Sequence, residues 1–198
     1  MRSTAIIKSF KPARHLIGIR LPTNQDGHAG REVEKILEQM GVPINRGAGP
    51  DILQFGLEIK TRKLSATSAQ TITAMHPDNI ITTSYFDSPV YQKIRQQLRV
   101  YTNDEDVIVK AEVFNFDQPQ IQELLEEAYE HGRKIITDNP NIGYTPYSKQ
   151  WGFFEQTRKD RPEYDFRVTN TMMEGLEAMS KSTFRNIFEV VEWVVGMQ

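Results

Sequence analysis

In Leu57-Glu58-Ile59-Lys60-Thr61-Arg62, uncharged side chains alternate strictly with charged ones, and this stretch constrains the fold more than any other. Successive side chains of a strand point to opposite faces. Leu57, Ile59 and Thr61 therefore share one face, and Glu58, Lys60 and Arg62 the other. Upstream the period changes. From Ala29 to Met40, the apolar residues Val33, Ile36, Leu37 and Met40 recur at helical spacing, and Gly41 and Pro43 end that helix. The pattern is that of a helix leading into a half-buried strand.

The rest of the chain extends the same mixture. Asn45 to Pro50 is rich in Gly, Asn and Pro and reads as a loop, and Ile52 to Arg62 as extended structure around Gly56. Further strands are expected at Thr71 to Met75, Ile80 to Tyr85, Leu98 to Tyr101 and Val107 to Phe114, all rich in β-branched or aromatic residues. Ser88 and Pro89 fit the cap and first position of a helix over Val90 to Gln97. The clearest helix runs from about Pro119 to Ile136, followed by a Gly-, Asn- and Pro-rich stretch that predicts a subdomain hinge near 137–147. A short strand at Tyr164 to Val168 follows, then a helix with Met172, Leu176 and Met179. A final helix through Phe184, Ile187, Val191 and Val194 is apolar on more than one face and suits burial or a dimer contact. These elements predict an α+β fold with a mixed central sheet flanked by helices, and 198 residues, 38% of them apolar, suffice for one domain over 1–198.

Composition narrows the chemistry. There is no cysteine, so disulfides, thiolate metal sites and a cysteine nucleophile are excluded, which fits a reducing compartment. Metal chemistry must then use oxygen or histidine. His15, His28, His76 and His131 show no metal-ligand spacing, which leaves them surface or structural roles. The net charge of -2 advertises no polyanion partner, so contact with one must come from locally arranged Lys and Arg. No apolar run reaches the roughly 18 residues of a membrane span, and a soluble, cytoplasmic protein is expected.

Asp51, Glu58 and Lys60 form the constellation that carries chemistry. A turn at Gly56 brings the two carboxylates to one divalent ion, and Lys60 shares the face of Glu58. Hydrolysis of a phosphodiester needs such an ion to polarise the phosphate and activate water, and Mg²⁺ prefers carboxylate and water oxygens. An ammonium beside them orients the water or holds the developing charge. Glu34 stands at the edge of the apolar face of the upstream helix and is the fourth candidate. The plain alternative is a solvated strand face, which alternating charges usually mark.

The stretch Asp51-Ile-Leu-Gln-Phe-Gly-Leu-Glu58-Ile-Lys60-Thr61 resembles the Asp…Leu-Gly-Val-Glu-Leu-Lys-Thr block of MutH and the MutH-like type II restriction enzymes, of the PD-(D/E)xK superfamily. Gly30-Arg-Glu-Val-Glu34 resembles the family's Gly-x-x-x-Glu helix, and Val90-Tyr-Gln-Lys93-Ile its Val-x-x-Lys-Leu segment, whose lysine lies by the active site. Phe166-Arg167 resembles the Ile-Arg-Pro-Lys segment that reaches DNA bases, and Met179-Ser-Lys181-Ser-Thr-Phe184 the late Leu-Lys-Lys-x-Phe-Thr stretch. The matches keep their order from about residue 26 to 190. The sequence departs at Asp26, where the family has lysine, and at Val168-Thr169, where it has Pro-Lys, so target sequence and methylation response do not carry over.

The resemblance implies a restriction-endonuclease-like α/β/α core, two lobes around a DNA-binding cleft, and a Mg²⁺-dependent endonuclease leaving 5′-phosphate and 3′-hydroxyl ends. Its catalytic residues would be Glu34, Asp51, Glu58, Lys60 and Lys93. Mg²⁺, or Mn²⁺ in its place, would bind Asp51, Glu58 and the carbonyl of Ile59. Double-stranded DNA would meet Arg62, Lys63, Arg167 and Lys181, with Arg95 and Arg99 as further phosphate contacts and Arg167 reading guanine. A monomer with one site nicks one strand; a homodimer or a partner subunit gives a double-strand break. The rivals are a catalytically silent DNA-binding or assembly protein of this fold, and a protein-interaction domain using the acidic helix and the final apolar helix.

Overall fold

The computed structural model describes residues 10–22, 28–47, 49–145, 152–156 and 161–181. The expected final helix lies outside the described residues. The strands are β1 (Glu58–Lys63), β2 (Gln70–Met75), β3 (Gln96–Thr102), β4 (Ile108–Asn115), β5 (Gly152–Glu155) and β6 (Tyr164–Val168). The helices are α1 (Pro12–His15), α2 (His28–Gln39), α3 (Pro77–Thr82), α4 (Pro89–Ile94) and α5 (Pro119–Asp138), with α6 over 170–181. The class is α+β. The strands do not form the one central sheet expected, however, but two sheets of three strands, ordered β1-β3-β4 and β2-β6-β5. Periodicity shows where strands are, not which strands they pair with.

The chain divides into two compact units, Met1–Ser68 with Phe86–Asn115, and Ala69–Tyr85 with Phe116–Gln198. It passes between them after Ser68, Tyr85 and Asn115, and the stretch 137–147 falls inside the second unit.

In the first unit, β1 runs parallel to β3, pairing Glu58 with Gln97 and Lys60 with Arg99, and β4 runs antiparallel on the other side of β3. The expected apolar face of β1 is seen: Leu57 and Ile59 are buried with Val33 and Leu37 of α2, and with Leu98 and Val100 of β3. Each such side chain contributes roughly 1.5–3 kcal/mol. Helix α2 packs on β1 and α4 on β3. The helix expected to reach Gln97 ends at Ile94, because Gln96 to Thr102 forms the central strand, in which every residue is buried. Ser88 caps α4 as expected, its Oγ accepting the Tyr91 N–H at 3.2 Å.

In the second unit, β6 is central, antiparallel to β2 and β5. Tyr129 of α5 meets Phe154 of β5 with ring centroids 5.4 Å apart, and Phe154 meets Phe166 of β6 at 5.1 Å. Phe153 and Phe154 are thus core residues. The strand expected at Ile80 to Tyr85 is instead α3, followed by the short turn Tyr85–Asp87. Its sequence, His-Pro-Asp-Asn-Ile-Ile, carries a helix start that the β-branched run concealed: Pro77 at the first position, Asp78 in the first turn, and His76 accepting the Asp78 N–H.

Candidate metal and phosphoryl-transfer site

A tight reversal of the chain builds the site. Ile52 and Leu57 exchange both backbone hydrogen bonds, at 2.9 and 3.2 Å, around the short 3₁₀ turn Leu53–Phe55. Gly56 closes this turn at φ 63°, a left-handed conformation that glycine reaches without strain. The expected turn is therefore present, and the extended stretch begins only beyond it. The reversal lays Asp51 beside β1, where its Oδ2 accepts the Ile59 N–H at 2.7 Å. A strand residue directs its N–H and C=O to the same side, so the Ile59 carbonyl faces the edge of β1 that Asp51 occupies.

Glu58 is 3% exposed. Its Oε1 accepts hydrogen bonds from Lys60 Nζ at 3.0 Å and from Lys93 Nζ at 3.2 Å. Its Oε2 is buried with no hydrogen-bond partner among the described residues. A buried carboxylate oxygen left unpaired is costly. Burial and the neighbouring charge of Glu58 push the Asp51 carboxyl above the usual carboxylate range, against the Ile59 N–H and the charges of Lys93 and Lys60, which pull it down. Two carboxylates that repel, one with an orphaned oxygen, are groups whose charge a cation could offset.

The donors fit a hard divalent ion. Among the described residues no cluster of three or more Asp, Glu or His side chains gathers. Mg²⁺ needs none, since it is commonly held by one or two carboxylates and keeps water or substrate oxygens in its remaining positions. Asp51, Glu58 and the Ile59 carbonyl are the oxygens available.

The structure brings Lys93, 35 residues from Glu58 in sequence, into this group. Glu34 has other company: its carboxylate pairs with Arg46, which also reaches Glu38 at 2.8 Å. Arg46 follows Asn45, whose N–H donates to the Asp51 carbonyl at 2.7 Å, so Glu34 braces the loop that carries Asp51.

The expected DNA contacts are largely engaged within the protein. Arg62 donates to the carbonyls of Ala66 and Ser68, each at 2.7 Å. Lys63 pairs with Asp106 at 2.8 Å, and this bond raises the lysine's pKa. Arg99, expected at a phosphate, is 1% exposed and bound to Gln97 and Tyr101, which removes it from solvent. Arg95 lies over the Tyr91 ring, 5.7 Å from its centroid. In the second unit Arg167 pairs with Glu155 and donates to the Ala69 carbonyl at 2.8 Å, while Lys181 is exposed on α6. A cavity of about 350 Å³ runs along β1, lined by Gly30, Lys60, Thr61, Arg62 and Lys63 among others.

Sequence reasoning missed Gln97 and Tyr101. Their signal is the spacing Gln97-Arg99-Tyr101, which puts one face of a strand beside Glu58 and Lys60; the strand is expected from Leu98 to Tyr101, but Gln97 reads as the end of the preceding helix. Set beside models of protein families and curated proteins, the sequence matches none. Among the described residues, no helix is long and apolar enough to cross a membrane.

Proposed function

We propose that this chain is a Mg²⁺-dependent endonuclease of the PD-(D/E)xK type, with a restriction-endonuclease-like fold, that hydrolyses phosphodiester bonds of double-stranded DNA. The observation that carries the reading is the charge arrangement at Glu58: one oxygen held by Lys60 and Lys93, the other buried and unpartnered, with Asp51 alongside. A solvated strand face, the plain alternative, does not bury a glutamate under two lysines. The order of the MutH-like segments along the sequence supports the same reading.

A divalent ion, when bound, polarises the phosphate and lowers the pKa of the attacking water. Asp51, Glu58 and the Ile59 carbonyl would hold it, and the Ile59 N–H fixes the Asp51 carboxylate in place. Lys60, on the strand, orients the water or takes up negative charge as the phosphorus becomes five-coordinate. Lys93 fixes Glu58 from the helix side. Water adds to phosphorus, the bond to the 3′ oxygen breaks, and that oxygen leaves as a 3′-hydroxyl opposite a 5′-phosphate.

The deciding experiment incubates the purified protein with plasmid and phage DNA in Mg²⁺, beside Asp51→Ala and Lys60→Ala, and sequences the ends. Discrete nicks or cuts from wild type alone are expected. Salt-sensitive DNA binding without cleavage, in Mg²⁺ and in Mn²⁺, would move the protein to a silent DNA-binding role.

A further inference from the structure

We infer that Gln97, oriented by Arg99, is a positioning residue that holds Lys93 against Glu58; the inference rests on the hydrolysis proposed above. Gln97 is fully buried, and its side-chain amide makes two hydrogen bonds. Its Oε1 accepts Arg99 Nη1 at 2.9 Å, and its Nε2 donates to the Lys93 carbonyl at 3.0 Å. The guanidinium is a donor only, so it dictates that the oxygen end of the amide faces Arg99 and the NH₂ end faces Lys93. Arg99 is itself fixed, because its Nε donates to the Tyr101 hydroxyl at 2.9 Å and its guanidinium lies over that ring.

Helix geometry explains why Lys93 needs this support. It sits in the last turn of α4, only six residues long, where carbonyls lack intrahelical partners. The chain turns there into β3, and the Gln97 side chain takes the Lys93 carbonyl. Without that bond the last turn frays, and a flexible side chain already 28% exposed loses its place on Glu58. The chain of bonds Tyr101, Arg99, Gln97, Lys93, Glu58 runs from the interior of β3 to the site.

The test compares wild type with Gln97→Glu, Gln97→Met, Lys93→Met and the double variant Gln97→Glu with Lys93→Met. Gln97→Glu keeps an acceptor for Arg99 but cannot donate to the Lys93 carbonyl. We expect it to fold, with a lowered Tm, and to lower the single-turnover cleavage rate by about tenfold, as loss of an outer partner of a site does, with DNA affinity unchanged. In the Lys93→Met background it should cost nothing more, because it acts through Lys93. Gln97→Met is neutral and separates the lost hydrogen bond from the added charge. In calorimetry, Gln97→Met and Lys93→Met should both bind Mn²⁺ more tightly than wild type, since Glu58 then shares its charge with one ammonium fewer. A cleavage loss of equal size in the Lys93→Met background, or unchanged Mn²⁺ affinity in Gln97→Met, overturns the positioning role while leaving the nuclease standing. A wild type that does not cleave overturns the nuclease reading and this inference with it.

Discussion

Lys93 Nζ donates to Glu58 Oε1 at 3.2 Å, the same oxygen that Lys60 Nζ holds at 3.0 Å, so a helix and a strand place their ammonium groups on one carboxylate oxygen. The second oxygen is buried without a hydrogen-bond partner among the described residues, and a cation bound there, as proposed, would offset its charge. Lys60 lies two residues beyond Glu58 on the same face, and in the proposed hydrolysis it takes up negative charge on the phosphate. Lys60→Met should lower the single-turnover cleavage rate by about 10²–10³-fold, the usual loss when one preorganised donor is removed, with DNA affinity nearly intact. Rapid-quench kinetics on a defined substrate measure this. A rate within twofold of wild type would remove Lys60 from the chemistry.

Asp51 makes stability depend on pH in an unusual direction. Its folded-state pKa is raised, chiefly by burial and then by Glu58. Between the unfolded and folded pKa values the native state binds more protons, so this group's contribution to stability falls as pH rises through that window. Its cost is fully present above the folded pKa and vanishes below the unfolded one. Asp51→Asn, which keeps an acceptor for the Ile59 N–H, should therefore melt higher than wild type at pH 7, and the gap should close as pH falls to about 4, near the unperturbed carboxylate value. Mg²⁺ should reverse the order at pH 7 by stabilising wild type alone, by about 2.7 kcal/mol at a hundredfold excess over Kd. Thermal melts at both pH values, with Mg²⁺ and with EDTA, check both halves.

Legibility of the sequence varied with the source of each constraint. The alternation from Leu57 to Arg62 and the helical spacing of Val33 and Leu37 reflect local burial, and both elements fold as they read. Gly56 announced the turn that carries Asp51 to β1 because a positive φ is a local demand. Strand partners and the burial of β3 depend on the rest of the chain. The strand itself is legible from Leu98 to Tyr101, but its start at Gln96 and the burial of Gln96, Gln97 and Arg99 are hidden from any pattern that equates buried with apolar. The partner of Glu34 was hidden too, since Arg46 reaches it only through the fold of the loop after α2.

Arg62 and Arg167 were expected at DNA, and each is bound to backbone carbonyls of its own unit. Hydrogen bonds from a charged group contribute about 1.5–3 kcal/mol, less where the side chain is partly in water. Arg62→Ala and Arg167→Ala should each lower stability in urea, by about 1–3 kcal/mol, while leaving the salt dependence of DNA binding unchanged. A slope of log K against log salt shallower by about one unit in either variant would return that arginine to a phosphate.

Gly132 tests the packing of the second unit, where two effects oppose each other. In a helix interior, Gly→Ala gains about 1 kcal/mol from backbone entropy. A Cβ at Gly132 would stand 2.6 Å from Phe154 Cδ2 and 3.1 Å from its Cε2. That ring is fully buried, between Tyr129 and Phe166, and has nowhere to turn. Overpacking costs about 1–3 kcal/mol, so it should win, and Gly132→Ala should lower the urea midpoint. Gly175 in α6 supplies the control, because a Cβ there meets nothing within 4 Å. Gly175→Ala should raise the midpoint through the same helix propensity. If both substitutions stabilise, Phe154 has room to move, and α5 packs on β5 less tightly than the ring distances imply.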